Sequence, residues 1–82
     1  MYSVYILFSK KLNRYYVGYT NNIERRLSEH NRKKGKYTDA GIPWKLVYTE
    51  KFENKIDATK RENFIKLKKS RKYIESLIAN EG

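Results

Sequence analysis

A chain of 82 residues without a single cysteine has to fold on packing alone. Neither a disulfide framework nor a cysteine-ligated zinc can staple it. At this size a core buries roughly 60% of the surface that the unfolded chain exposes, so there is little to spare. The apolar material is largely aromatic and β-branched, with eight Tyr, three Phe and one Trp beside scattered Ile, Val and Leu. Such side chains suit half-buried strands. One domain over residues 1–82 is the expectation.

Residues 2–8 and 15–20 are short β-rich runs separated by a polar stretch, a pattern that predicts a β-hairpin. Asn21, with Glu24 three residues on, resembles a capping box, so Asn21 or Thr20 is expected to cap a first helix over about residues 22–32. Residues 32–43 are basic, contain glycine and end in Pro43, which marks an exposed loop before a third strand over 44–52. A second helix is expected over about 54–68. Its apolar residues fall on two sides, Ile56, Phe64 and Leu67 on one and Ala58 and Ile65 on another, which predicts contact on both. Ser70 should cap a third helix, whose Tyr73, Ile74, Leu77 and Ile78 share one apolar face. The order is ββαβαα, and the fold class is α/β (α+β): a three-stranded antiparallel sheet flanked by helices.

Nineteen Lys plus Arg against nine Asp plus Glu give a formal net charge of +10, beyond what solubility requires of a small domain. Such an excess points to a polyanionic partner: DNA, with RNA equally admitted by charge. Lys33, Lys34 and Lys36 in the loop and Lys66, Lys68 and Lys69 at the end of the second helix are expected to make non-specific phosphate contacts. No apolar run approaches the roughly 20 residues of a membrane span, and no long basic amphipathic helix with exposed aromatics is evident. The first residues lack the basic start of a signal peptide, so a cytoplasmic location is expected.

Chemistry rests on a few positions. On an ideal helix Arg26 projects about 60° from Ile23 and one turn before His30, while Arg25 is turned about 100° away. A guanidinium at Arg26 either grips a phosphate bidentately and stabilises charge on its oxygens, or belongs to a solvated basic flank. His30 is the sole histidine, which excludes a multi-histidine metal site and leaves proton transfer, phosphate contact or a half-buried structural role. Glu62 is either the one carboxylate that a hard divalent cation needs beside phosphate oxygens and waters, or half of an i,i+4 pair with Lys66. Tyr5, Tyr16 and Tyr19 lie on the hairpin, where a phenol holds or deprotonates a water or simply joins a cross-strand aromatic pair. Gly18, inside a strand, suggests that another group approaches the backbone there.

Taken together, these residues resemble the GIY-YIG nuclease family. Ser3-Val4-Tyr5 stands where the family has its first tripeptide and Tyr16-Val17-Gly18 where it has the second. The stretch from Gly18 to His30 is similar to the family's first helix, with Arg26 at its arginine, and Ala58-Thr59-Lys60-Arg61-Glu62 looks like the helix of its metal-binding glutamate. The order of these matches spans nearly the whole chain, which most resembles the short single-domain bacterial members. Ser3 replaces the first glycine, and Tyr19 stands where many relatives carry lysine. The resemblance implies a metal-dependent endonuclease acting on DNA. Tyr5 and Tyr16 would organise or deprotonate the attacking water, Arg26 would bind the scissile phosphate, His30 would assist proton transfer, and Glu62 would ligate one Mg²⁺ or Mn²⁺. Relatives usually obtain target choice from an attached DNA-binding domain, for which this length leaves no room; a partner protein or a DNA structure is expected to supply it. The competing reading, from charge alone, is a catalytically weak basic nucleic-acid-binding module.

Overall fold

A computed structural model describes residues 1–33 and 37–80. The chain forms β1 (Tyr2–Ser9), β2 (Arg14–Thr20), α1 (Ile23–His30), a 3-10 turn (Tyr37–Gly41), β3 (Trp44–Phe52), α2 (Lys55–Lys68) and α3 (Arg71–Ala79). This is the expected ββαβαα order. The strands make one antiparallel three-stranded sheet, arranged β2-β1-β3, so β1 is central and β2 an edge.

Four consecutive residues of β1, Val4, Tyr5, Ile6 and Leu7, are buried. Side chains alternate across a strand, so such a run requires cover on both faces of the sheet. The register places Tyr5 opposite Gly18 and Leu7 opposite Tyr16, which sends these side chains to one face, and Val4 opposite Tyr19 and Ile6 opposite Val17 to the other. On the first face Tyr5, Leu7 and Trp44 pack with Ile23 and Leu27 of α1. On the second, Val4, Ile6 and Val17 pack with Ala58 and Ile65 of α2 and with Tyr73, Ile74 and Leu77 of α3. One helix covers one face and two cover the other.

α1 departs from the sequence pattern at both ends. Asn22 is the N-cap, rather than Asn21 or Thr20: its Oδ1 accepts from the Arg25 amide at 3.0 Å, while Thr20 closes the preceding turn by accepting from the Asn22 amide at 3.1 Å. Glu24 consequently sits in the first turn, where a carboxylate favours the positive end of the helix dipole. The helix stops at His30, two residues early, because Asn31 turns its side chain to β3. The Asn31 Nδ2 donates to the Trp44 carbonyl at 2.9 Å, and its Oδ1 accepts from the Trp44 amide at 2.6 Å. That reciprocal pair imitates a strand-to-strand ladder and holds the end of α1 to the start of β3.

The expectation that α2 makes contact on two sides holds for Phe64 and fails for Ile56 and Leu67. Ala58 and Ile65 are buried on the sheet, whereas Ile56 and Leu67 are 67% and 76% exposed. α3 packs beside α2 on the sheet instead of over its outer face, and Phe64 leans toward it, edge-on to Tyr73 with ring centroids 6.2 Å apart. The Ser70 cap of α3 is present, its side chain accepting from the Tyr73 amide. Lys34 and Lys36 lie outside the described residues. Among those described, no helix is long and apolar enough to cross a membrane.

Candidate active site

The centre of the site is a place where a side chain is missing. A β-carbon built on Gly18 would lie 2.6 Å from the Tyr5 hydroxyl oxygen and 2.7 Å from its Cζ, so the phenol lies across the glycine backbone. Tyr16 stacks beside it, with ring centroids 6.4 Å apart and an interplanar angle of 23°. The His30 imidazole meets the Tyr16 ring in a T-shaped contact at 4.6 Å.

The Tyr5 hydroxyl joins two residues of α1. The Arg26 Nε donates to it at 3.3 Å, and the Nε2 of His30 lies 3.3 Å away. A guanidinium nitrogen only donates, so the phenol oxygen is the acceptor in the first contact. Its own proton is then directed at Nε2, which accepts it when the imidazole carries hydrogen on Nδ1. Burial pushes the Tyr5 hydroxyl above its usual range, opposed by the Arg26 hydrogen bond. The same bond to Tyr5 raises the Arg26 guanidinium, which is always charged, and Glu29 pairs with its Nη1 at 3.1 Å. Residues 26 and 30 reach one oxygen because they lie one turn apart on a helix held over the sheet face that carries Tyr5.

Tyr5, Tyr16, Gly18 and Arg26 line a groove of about 400 Å³ together with Glu62 and Lys55 of α2. Tyr2 and Tyr19, from the opposite face of the sheet, complete its other side. The groove thus brings residues from both faces together beside the edge strand β2. Glu62 has a side chain only 12% exposed, and its Oε2 pairs with the Lys66 Nζ at 3.1 Å. Its helix is clamped at the preceding residue: Arg61 grips Glu50 of β3 through Nε and Nη2, each at 2.9 Å, and donates to the Tyr73 hydroxyl of α3 at 3.5 Å.

Of the five candidate catalytic residues, Tyr5, Tyr16, Arg26 and Glu62 line the groove, and His30 lies behind Tyr5, 8% exposed. Sequence reasoning set Arg25 apart as turned away from the site. The structure corrects this: Arg25 lines the groove and donates to Asn21 at 3.3 Å, because the groove reaches around the first turn of α1. Lys55 and Asn31 were missed. Lys55 could have been noticed as a cation in the first turn of the glutamate's helix, whereas no local signal announces the pairing of Asn31 with Trp44. Among the lysines expected on phosphate, Lys33 is exposed, Lys69 caps α2 in the left-handed conformation, and the Lys68 ammonium sits over the rings of Phe64 and Tyr73 at 4.7 and 5.5 Å.

Among the described residues Glu62 is the one carboxylate lining the groove, and they contain no group of three or more His, Cys, Asp or Glu able to hold a metal. A zinc site with four protein ligands therefore does not fit. A magnesium-like ion does: it keeps several waters and binds through one or two carboxylates plus the phosphates of its substrate.

The GIY-YIG catalytic domain model matches residues 1–74, and the chain belongs to the GIY-YIG nuclease family. It is 48% identical over 67 residues to a UPF0213 protein of Natronomonas pharaonis, across 80% of this chain and 78% of that one. To a UPF0213 protein of Bacillus licheniformis it is 53% identical over 64 residues, across 77% of this chain and 65% of the relative. The solution NMR structure of a UPF0213 protein from Bacillus halodurans, 38% identical, superposes with a TM-score of 0.62 over all of this chain and 87% of that one. These names state no activity.

Proposed function

We propose that this protein is a single-domain, divalent-cation-dependent endonuclease that hydrolyses DNA phosphodiester bonds. The observation that carries the reading is the meeting of Tyr5, Tyr16, Arg26 and Glu62 in one groove, although they come from different elements. Hydrolysis requires a water to lose a proton as it attacks phosphorus, and charge on the phosphoryl and leaving oxygens to be offset. Arg26 is the group to offset charge: its guanidinium is permanently cationic and presents parallel donors to phosphate. Glu62 would hold the cation, which when bound supplies further charge neutralisation and polarises the phosphate.

Proton removal falls to Tyr5. Burial disfavours a standing phenolate there, so the phenol takes the water's proton as its own passes to Nε2 of His30, and no free phenolate has to form. Tyr16 orients the water and holds the imidazole by its ring contact. Arg25 and Lys55 add cationic surface at the groove, which fits a backbone-directed, sequence-independent grip. Target choice then comes from a partner protein or from the shape of the DNA.

The test is direct: purified protein is incubated with single-stranded, duplex and branched DNA in Mg²⁺, Mn²⁺ or EDTA, beside Glu62→Ala. Cleavage that needs the cation and disappears in Glu62→Ala, with DNA binding kept, supports the enzyme. Binding without cleavage by the unaltered protein under every condition would leave the basic binding module as the correct reading.

A further inference from the structure

Glu62 is already engaged. Lys66, one helical turn further on, covers its Oε2 at 3.1 Å, and the lysine side chain is 50% exposed against 12% for the carboxylate. The groove's lining includes Glu62 but not Lys66, so the ammonium holds one carboxylate oxygen while the carboxylate still opens to the groove. Lys66 also lines a second cleft, with Arg14, Lys69 and Arg71, at the junction of α2 and α3 beside the start of β2. One carboxylate thus faces two cationic claimants, the lysine in place and a divalent ion, which repel each other at contact distance.

We propose that Lys66 is a competitor for Glu62: it occupies the carboxylate until a divalent cation displaces it, and the released ammonium then takes a phosphate of the substrate strand in the second cleft. The inference rests on the metal-ligand reading of Glu62 and adds a direction of coupling to it. Lysine weakens cation binding while no nucleic acid is present. Once the cation is in place, the freed lysine strengthens the hold on the strand. By linkage, cation and strand then favour each other through this one side chain. An ordinary helix-stabilising i,i+4 pair would weaken cation binding as well, but would add no hold on the strand.

The experiment is a titration with Mn²⁺ alone, followed by electron paramagnetic resonance of the free ion, on wild type, Lys66→Met, Lys66→Arg, Glu62→Gln and the Lys66→Met/Glu62→Gln pair. Lys66 is half exposed, and circular dichroism confirms that each variant is folded. Lys66→Met should bind Mn²⁺ about two- to fivefold more tightly, the range that an exposed ion pair supports. Lys66→Arg should stay near wild type, and the Lys66→Met gain should vanish in the Glu62→Gln background. Affinity for a DNA duplex, compared in Ca²⁺ and in EDTA, should rise with Ca²⁺ in wild type more than in Lys66→Met. If Lys66→Met leaves Mn²⁺ binding unchanged or weaker while Glu62→Gln abolishes it, the competitor is overturned and the metal ligand stands. If Glu62→Gln binds Mn²⁺ as wild type does, both are overturned.

Discussion

The phenol of Tyr5 fills the space that a β-carbon on Gly18 would need, its oxygen 2.6 Å from that position. Two effects compete when Gly18 becomes Ala. Alanine in a strand interior normally gains about 0.5–1 kcal/mol from lower chain entropy, whereas forcing atoms into a packed site costs about 1–3 kcal/mol. Tyr5 is 2% exposed and its ring is packed with Leu7, Trp44, Ile23 and Leu27, so the clash should win. Gly18→Ala should lose about 1–2 kcal/mol in urea unfolding and at least roughly tenfold in cleavage rate, since the displaced hydroxyl leaves its partners. Unchanged stability and rate would show that Tyr5 is free to move.

Tyr5→Phe keeps the ring over Gly18 and removes the oxygen that Arg26 and His30 share. Its melting temperature should stay close to wild type while cleavage falls by about 10²–10⁴, the range of a general base. A variant that cleaves normally would remove Tyr5 from the proton path.

Arg25 and Arg26 both line the groove, but only Arg26 donates to Tyr5. Arg25→Ala should act on affinity, lowering the slope of log affinity against log salt by about 0.9 on duplex DNA with kcat kept. Arg26→Ala should lower kcat by about 10²–10³, as loss of a charge-stabilising donor does. Filter binding across a salt series, set beside single-turnover cleavage, separates the two; identical profiles would mean that the arginines serve charge alone.

Glu50 is the acid-sensitive point. Burial raises its carboxyl, but the hydrogen bonds from Arg61 and Tyr48 outweigh this and hold it below its usual 4.5. A group whose folded value is depressed stabilises the fold above its unfolded value, and that stability is lost as pH falls through the folded value. The melting-temperature gap between wild type and Glu50→Gln should thus stay constant from neutral pH to about 5 and close below about 4.5. A gap independent of pH would assign the clamp no ionic contribution.

Asn31→Ala removes both side-chain bonds to Trp44. Two part-buried hydrogen bonds lost should cost about 1–3 kcal/mol in chemical unfolding, and activity should fall more than stability, because His30 is the adjacent residue. Equal stability would show that α1 is held by Ile23 and Leu27 without this tie.

Periodicity made the element order readable: the hairpin, β3 and the Ser70 cap follow from alternation and local capping chemistry. The nearness of Arg26 to His30 likewise follows from helical spacing. What escaped was set by tertiary contacts. A polar stretch of uncertain turn geometry does not determine register, so the crossing of Tyr5 over Gly18 was suggested by the glycine without its partner. The end of α1 was misjudged because its stop signal is Asn31 bonding to a residue thirteen positions on. Ile56 and Leu67 looked like a second packing side because hydrophobicity alone does not say where α3 docks. Arg25 was misplaced because an azimuth on an ideal helix ignores how far a groove curves around that helix.

Tyr5 is at once a core residue and the hydroxyl at the centre of the proposed site. In a domain this small, a random mutation there is filtered first by folding and only then by activity. Phenylalanine is the one common replacement that keeps the ring. A lineage that drifts toward inactivity while staying folded should therefore lose Arg26 or Glu62 first, since neither is needed to fill the interior, and keep an aromatic residue at position 5 long after it has stopped moving protons.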